Sequence, residues 1–353
     1  MDPFSDKTVA LQKLHPHPRD GRITFVDKGH IYLVFIRKDP IPGQENVPSA
    51  QYGEIKEGDT VDGKYVRYIS VTEWNKTFFK VFDPVEVIKK MKQSKKYVEG
   101  HKYWGMTDEQ IMAQWKTTGE NASSAGTTMH GKFEEHYNSD LVQAVAKASG
   151  SGGPVVIAVP SVQTSVPVIS PAPSDPAIQA ITGPLSNLAL TPARDETDIG
   201  FERFLIDHPN FIPYRTEWRI FHEELRLAGS IDIVFQDPAS KEAPGTELIL
   251  ADWKRTREMR KENRFRERGL HWAIAHIHDC NFWKYSLQLN CYKYILETKY
   301  GKKITRMFLV QFHPELEEPC KYVIHEVPDL QKEVGQLAQS RILSFSFPTP
   351  VLK

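Results

Sequence analysis

Two short runs, residues 229–235 and 248–254, constrain the fold more tightly than any other stretch. In Gly229-Ser230-Ile231-Asp232-Ile233-Val234-Phe235, apolar residues alternate with Asp232 and small residues at period two, so the run reads as a strand opened by a glycine. A turn at Gln236-Asp237-Pro238 and a polar stretch through Gly245 lead into Leu248-Ile249-Leu250-Ala251-Asp252-Trp253-Lys254, a strand that is apolar at its start and charged at its end. Positions two apart share a face of a strand. Asp252 and Lys254 therefore point the same way, and Asp232 can meet them at the ends of the paired strands. Two clustered carboxylates repel, so such a pair beside a lysine suggests a bound divalent cation. An isolated Asp-x-Lys on a strand is usually only a surface ion pair. What surrounds it must decide.

The chain around this pair reads as alternating strands and helices. Residues 1–21 are polar and proline-rich and read as a flexible arm. Residues 22–35 alternate around Lys28-Gly29, a hairpin signal. Ser70-Val71-Thr72-Glu73 has capping-box spacing for a helix over 72–82, with Trp74, Phe78 and Phe79 on its apolar side. Asp83-Pro84 starts a helix running toward residue 96, which completes an N-terminal hairpin and helical module over 22–106. The core begins at 107–143: a helix from Thr107 through Trp115, a break at Gly119, and a second helix over 123–137. In that second helix Gly126, His130 and Glu134 fall on one stripe. A lone histidine on a helix is ordinarily a packing residue.

Composition changes at about residue 144. Through residue 193 there are eight prolines, only Lys147 and Asp175 carry charge, and no aromatic residue occurs between Tyr137 and Phe201. Such a segment cannot bury enough surface to offset its ordering entropy, so 144–195 is expected to be a disordered insertion that could dock a protein partner. The core resumes over 196–353 with a helix at 196–207, a strand at 215–221 and a hairpin into residue 229. A basic run over 254–268 is suited to phosphate contact or a solvated helix face. A helix capped by Asn281 and ended by Gly301 carries Gln288 and Tyr292 on one face. Strands at 305–312 and 321–326 and a helix over 328–343 complete an α/β core with a mixed central sheet.

Lys plus Arg equals Asp plus Glu at 45 each, so overall charge advertises no polyanionic partner and local clusters must carry that argument. The three cysteines, Cys280, Cys291 and Cys320, lack CxxC spacing, which fits free thiols in a reducing compartment. With no apolar run long enough to cross a membrane, the expectation is a soluble, intracellular protein.

Gly126-x-x-x-His130, Glu217, Gly229-x-x-Asp232, Asp252-x-Lys254 and Gln288-x-x-x-Tyr292 together resemble the motif series of RecB-type exonucleases of the PD-(D/E)XK nuclease superfamily. The resemblance covers about residues 120–137 and 210–312. It implies a restriction-endonuclease-like α/β core and a metal-dependent DNA exonuclease acting in replication, recombination or repair. The alternatives it leaves are an endonuclease or an inactive DNA-binding relative. It assigns Asp232, Asp252, the Trp253 carbonyl and His130 to one or two Mg²⁺ or Mn²⁺ ions. It further implies that Lys254 orients or deprotonates the attacking water, and that Gln288 and Tyr292 hold the active-site strands or touch a phosphate. Glu217 could bind the metal or serve only the hairpin. The chain departs from the pattern in having Asp at 252 where many members have Glu, and it lacks the four cysteines of an iron–sulfur cluster. The expected partner is DNA, single-stranded or with free ends, which the N-terminal module could thread past Trp74, Phe78 and Phe79.

Overall fold

The computed structural model describes residues 10–35, 46–47, 55–139, 196–317 and 321–346. The expected insertion at 144–195 lies outside them. The N-terminal part contains helix α1 (Ala10–Leu14) and strands β1 (Ile23–Val26), β2 (Ile31–Phe35), β3 (Asn46–Val47), β4 (Thr60–Val61) and β5 (Tyr65–Ser70). Helices α2 (Val71–Lys76), α3 (Pro84–Lys92) and α4 (Asp108–Tyr137) follow. The remainder runs α5 (Glu196–Asp207), β6 (Pro213–His222), β7 (Leu227–Gln236), β8 (Glu247–Arg255), α6 (Asn281–Lys299), β9 (Lys303–Phe312), β10 (Tyr322–Glu326) and α7 (Gln331–Ser346).

Local chemistry explains several boundaries. The Ser70 hydroxyl accepts from Glu73 N, and the Asp83 carboxylate accepts from Val85 N and Glu86 N, ahead of a proline in the first turn. Thr107 and Gln110 form a reciprocal capping box at the start of α4. Three expectations are overturned here. Gly119 does not break the helix: α4 is continuous over 30 residues, since one glycine costs only about 1 kcal/mol in a helix interior. Cys280, not Asn281, is the N-cap of α6. The arm is not loose over 10–21, because α1 and the turn after it pack against β6.

The strands form one mixed sheet in the order β1-β2-β5-β7-β8-β9-β10, with β6 along the other edge of β7 and β3–β4 beside β5. Its central feature is a fork. β6 covers one edge of β7 from Leu227 to Phe235. On the opposite edge, β5 pairs in parallel only at Leu227 and Ala228, and β8 pairs antiparallel only from Ile233 to Gln236. Residues 229–232 of β7 thus have no strand beside them on that edge. The ring of Tyr292 packs on the sheet face over Gly229: a Cβ there would lie 2.6 Å from Tyr292 Cε1. Gly229→Ala is therefore expected to lower stability by about 1–3 kcal/mol through overpacking. Gly126→Ala, in a helix with nothing within 4 Å of the new methyl, is expected to be neutral or stabilising. Urea unfolding of the two variants checks the contrast.

Alternation along β8 and β9 sends successive side chains into two cores. Leu248, Leu250, Met307 and Leu309 face α2, α6 and α7, while Ile249, Ala251, Trp253, Phe308, Val310 and Phe312 face α4 and α5. The second core is dense in rings, with Phe133 of α4 stacked on Phe201 of α5 at 3.8 Å and edge-on to Trp253 at 5.7 Å. Those contacts fix α4 against the strand that carries Asp252 and Lys254. Trp74 and Phe79 are 5% and 2% exposed, so they are core residues and cannot stack on a nucleic acid. Among the described residues, no helix is long and apolar enough to cross a membrane.

Candidate metal centre

The fork gathers side chains from four elements. Asp232, on the unpaired stretch of β7, accepts a hydrogen bond through Oδ2 from Trp253 N at 2.9 Å, so a side chain bridges the strands where their backbones have separated. His130 arrives from α4. Its Nε2 lies 3.0 Å from the Trp253 carbonyl oxygen and its Nδ1 lies 3.5 Å from Asp232 Oδ2. In the neutral ring, Nε2–H donating to the carbonyl leaves the Nδ1 lone pair facing the carboxylate.

Glu217 completes the group. The flanking pairs Thr216↔Ile233 and Trp218↔Ile231 set it opposite Asp232. Its φ is +41°, a left-handed conformation inside a strand, which for a non-glycine residue stores about 1–3 kcal/mol and tends to occur at functional sites. One ligand atom from each of His130, Glu217 and Asp232 lies within 4.8 Å of the other two. Burial, then the negative charges of Asp232 and Glu134, push the Glu217 carboxyl well above the usual range against the opposing pull of Arg219. Glu134, one helical turn beyond His130, is also raised by burial. A cleft of about 520 Å³ opens beyond Glu217 and Glu134 toward the N-terminal arm.

Asp252 and Lys254 stand beside this trio as a pair. Asp252 is 2% exposed. Lys254 Nζ approaches its Oδ2 to 2.5 Å as an ion pair, without the alignment that would satisfy the buried oxygen as a hydrogen bond. Burial pushes the Asp252 carboxyl up, offset by Lys254 and reinforced by Asp232. Burial also acts to lower Lys254, yet the charges of Asp252 and Asp232 outweigh it and hold the lysine above its ordinary value. Lys254 Nζ also lies 4.7 Å from the centroid of the Tyr285 ring.

Sequence reasoning made Asp232 and Asp252 the principal ligands and left Glu217 open. In the structure Glu217 sits with His130 and Asp232, while Asp252 turns toward Lys254. His130 and the Trp253 carbonyl are hydrogen-bonded to each other. Gln288 Nε2 donates to Tyr292 Oη at 3.1 Å, and Tyr292 is 3% exposed against Gly229. That supports strand-holding for Tyr292 and removes it from reach of a phosphate. Tyr285 was missed, although it stands three residues before Gln288 and seven before Tyr292, on the stripe that faces the fork.

Carboxylate oxygens, a backbone carbonyl and one imidazole make a donor set suited to Mg²⁺ or Mn²⁺. The raised Glu217 carboxyl, pressed by Asp232 and Glu134, fits a site that would accept a positive charge, whereas Asp252 already has Lys254 beside it. No family model matches the chain, and no curated protein matches it.

Proposed function

We propose that the protein is a metal-dependent DNA exonuclease with a PD-(D/E)XK core, hydrolysing phosphodiester bonds in replication, recombination or repair. The observation that carries this reading is the convergence of His130, Glu217 and Asp232 at a strand fork whose neighbouring turn of strand supplies a buried Asp252–Lys254 pair. His130, Asp232, Asp252 and the Trp253 carbonyl, with Glu217, would hold Mg²⁺ or Mn²⁺. Such an ion, when bound, supplies a Lewis acid for a phosphate oxygen and lowers the pKa of a water.

The chain's own groups do the rest. Lys254 offers charge and hydrogen bonds to the negative charge that builds on the phosphoryl oxygens as water adds. It orients or deprotonates the attacking water. Asp252 keeps that ammonium aimed into the site, and the Tyr285 ring confines it from the side. Tyr292 packs over Gly229 at the fork and leaves no room for a side chain there. His130 ties α4 to the Trp253 peptide and so fixes the ligand set as one unit.

End-labelled linear DNA and covalently closed circles, incubated with Mg²⁺, Mn²⁺ or EDTA, test the reading. The expected result is metal-dependent shortening of the linear strand with circles left intact. Cutting of circles would replace the exonuclease assignment by an endonuclease, and a mobility shift without shortening would leave only a DNA-binding protein.

A further inference from the structure

The loop joining β8 to α6 continues directly from Lys254. Residues 254–268 hold eight basic and three acidic side chains, and several of the basic residues have partners. Arg257 pairs with Glu315 at 3.0 Å, Arg260 pairs with Glu258 at 2.6 Å, and Lys261 lies 4.8 Å over the Phe282 ring. Arg264 and Arg266, like Arg255 and Arg268, make no ion pair among the described residues. They flank Phe265, which is 81% exposed and contacts no other ring among the described residues.

This display is built by hydrogen bonds. Asn263 Oδ1 accepts from Phe265 N at 2.7 Å and from Glu267 N at 3.3 Å, while its Nδ2 donates to Asp279 O at 2.6 Å. The turn forces Arg266 to a φ of +58°. The returning chain is tied by Asp279 N to Glu267 O at 2.9 Å and by a bridge between Arg268 and His278. The loop is thus a hydrogen-bonded turn that holds an exposed aromatic ring between two arginines that make no ion pair among the described residues.

Its position relative to the candidate centre is also fixed. Asn281, the first residue of α6, accepts from Arg260 N at 2.9 Å and donates to Glu258 O at 2.7 Å. One turn further along, or about 6 Å of helix, stands Tyr285, whose ring faces Lys254. A cleft of about 540 Å³ is lined by Arg257, Arg260, Arg264 and Phe265 together with Glu258, Glu262 and residues 279–281.

Cations spaced on either side of a bare ring suit a polymer with repeating phosphates and unstacked bases between them. A duplex keeps its bases stacked inside and offers Phe265 nothing. We infer that this turn is a docking site for single-stranded DNA: one base stacks on Phe265, and Arg264 and Arg266 contact the adjoining phosphates. This rests on the nuclease reading only for the identity of the polymer, and it places the bound strand on the Lys254 side of the fork.

Fluorescence anisotropy with a labelled oligothymidylate and a blunt duplex, both in EDTA, separates this site from hydrolysis. Phe265→Ala is expected to weaken single-strand binding about tenfold, Phe265→Trp to retain it, and duplex affinity to stay unchanged. Arg264→Gln with Arg266→Gln is expected to reduce the slope of log affinity against log salt by about 1.4. Wild-type affinity in Phe265→Ala, equal loss on the duplex, or wild-type preference for the duplex overturns the inference. A protein that binds single strands through Phe265 yet never shortens DNA would refute the nuclease reading and leave the docking site standing. Because the ring is exposed, an unchanged thermal midpoint verifies that the variant is folded.

Discussion

Lys254→Ala and Asp232→Asn are both expected to lose metal-dependent DNA shortening by about 10³-fold or more, but for different reasons. Removing one preorganised group that stabilises developing charge in a water-poor site typically costs about 10²–10³ in rate, and Lys254 also carries the counter-charge of the buried Asp252. Asp232 joins the candidate ligand set to the Trp253 peptide, so its substitution removes a ligand and loosens the fork together. Thermal melting with and without Mn²⁺ separates the two effects. A cation that binds only the folded protein stabilises it by about 2.7 kcal/mol at a hundred times its Kd. The wild-type midpoint should therefore rise with Mn²⁺, Lys254→Ala should still respond, and Asp232→Asn should not. Full activity in Lys254→Ala would remove the lysine from the mechanism. An undiminished Mn²⁺ shift in Asp232→Asn would remove the metal from this fork.

Asp20→Ala is expected to destabilise the whole protein by about 3–5 kcal/mol, the cost of stranding a buried charge. Arg215 of β6 has a side chain only 3% exposed and donates to Asp20 Oδ2 at 2.9 Å, to Asp20 Oδ1 at 3.3 Å and to His15 O at 2.9 Å. Trp218 Nε1 donates to the same carboxylate at 3.2 Å. Truncating Asp20 leaves the guanidinium in a dry pocket and frees the arm, whose His15 ring stacks on Tyr214 at 4.3 Å. Replacing Arg215 by Met in the Asp20→Ala background should recover most of the loss, because an apolar side chain needs no partner there. Urea unfolding of the two single variants and the double variant measures it. A change in Asp20→Ala within about 0.5 kcal/mol, typical of surface substitutions, would show that the arm is only an adornment.

What could be read from the sequence was what local pattern specifies. The strands at 229–235 and 248–254 carry their own alternation, and Asp252 and Lys254 share a face because strand geometry leaves no choice. The mixed sheet flanked by helices follows from the order of those patterns. The fork does not, because it depends on β5 entering beside Leu227 from a segment more than a hundred residues earlier in the chain. Nor could the grouping of Glu217 with His130 be foreseen, since it depends on a left-handed backbone at Glu217 that no propensity encodes. The arm was misread for a similar reason: Asp20 finds its partner 195 residues away. At Gly119 a local breaker signal was overruled by a helix anchored at both ends. Hydroxyls of Thr118, Thr127 and Thr128 bond back to carbonyls four residues earlier instead of competing with the helix.

The unbroken α4 has a mechanical consequence. Near its outer end, Trp115 donates to the Tyr103 hydroxyl at 2.9 Å and Asp108 pairs with Lys92 at 2.5 Å. Near its inner end, Phe133 stacks on Phe201 and His130 reaches the Trp253 carbonyl. Residues 116–124 between these anchors are exposed all round, so the helix crosses solvent there as a strut about 45 Å in total length. Side-chain identity along that span is nearly free, but its residue count is not. One added residue would rotate the far end by about 100° and advance it by about 1.5 Å, swinging the imidazole off its azimuth. Only an insertion near two whole turns would bring the histidine back into phase, and it would then arrive about 10 Å out of step with one of the two anchors.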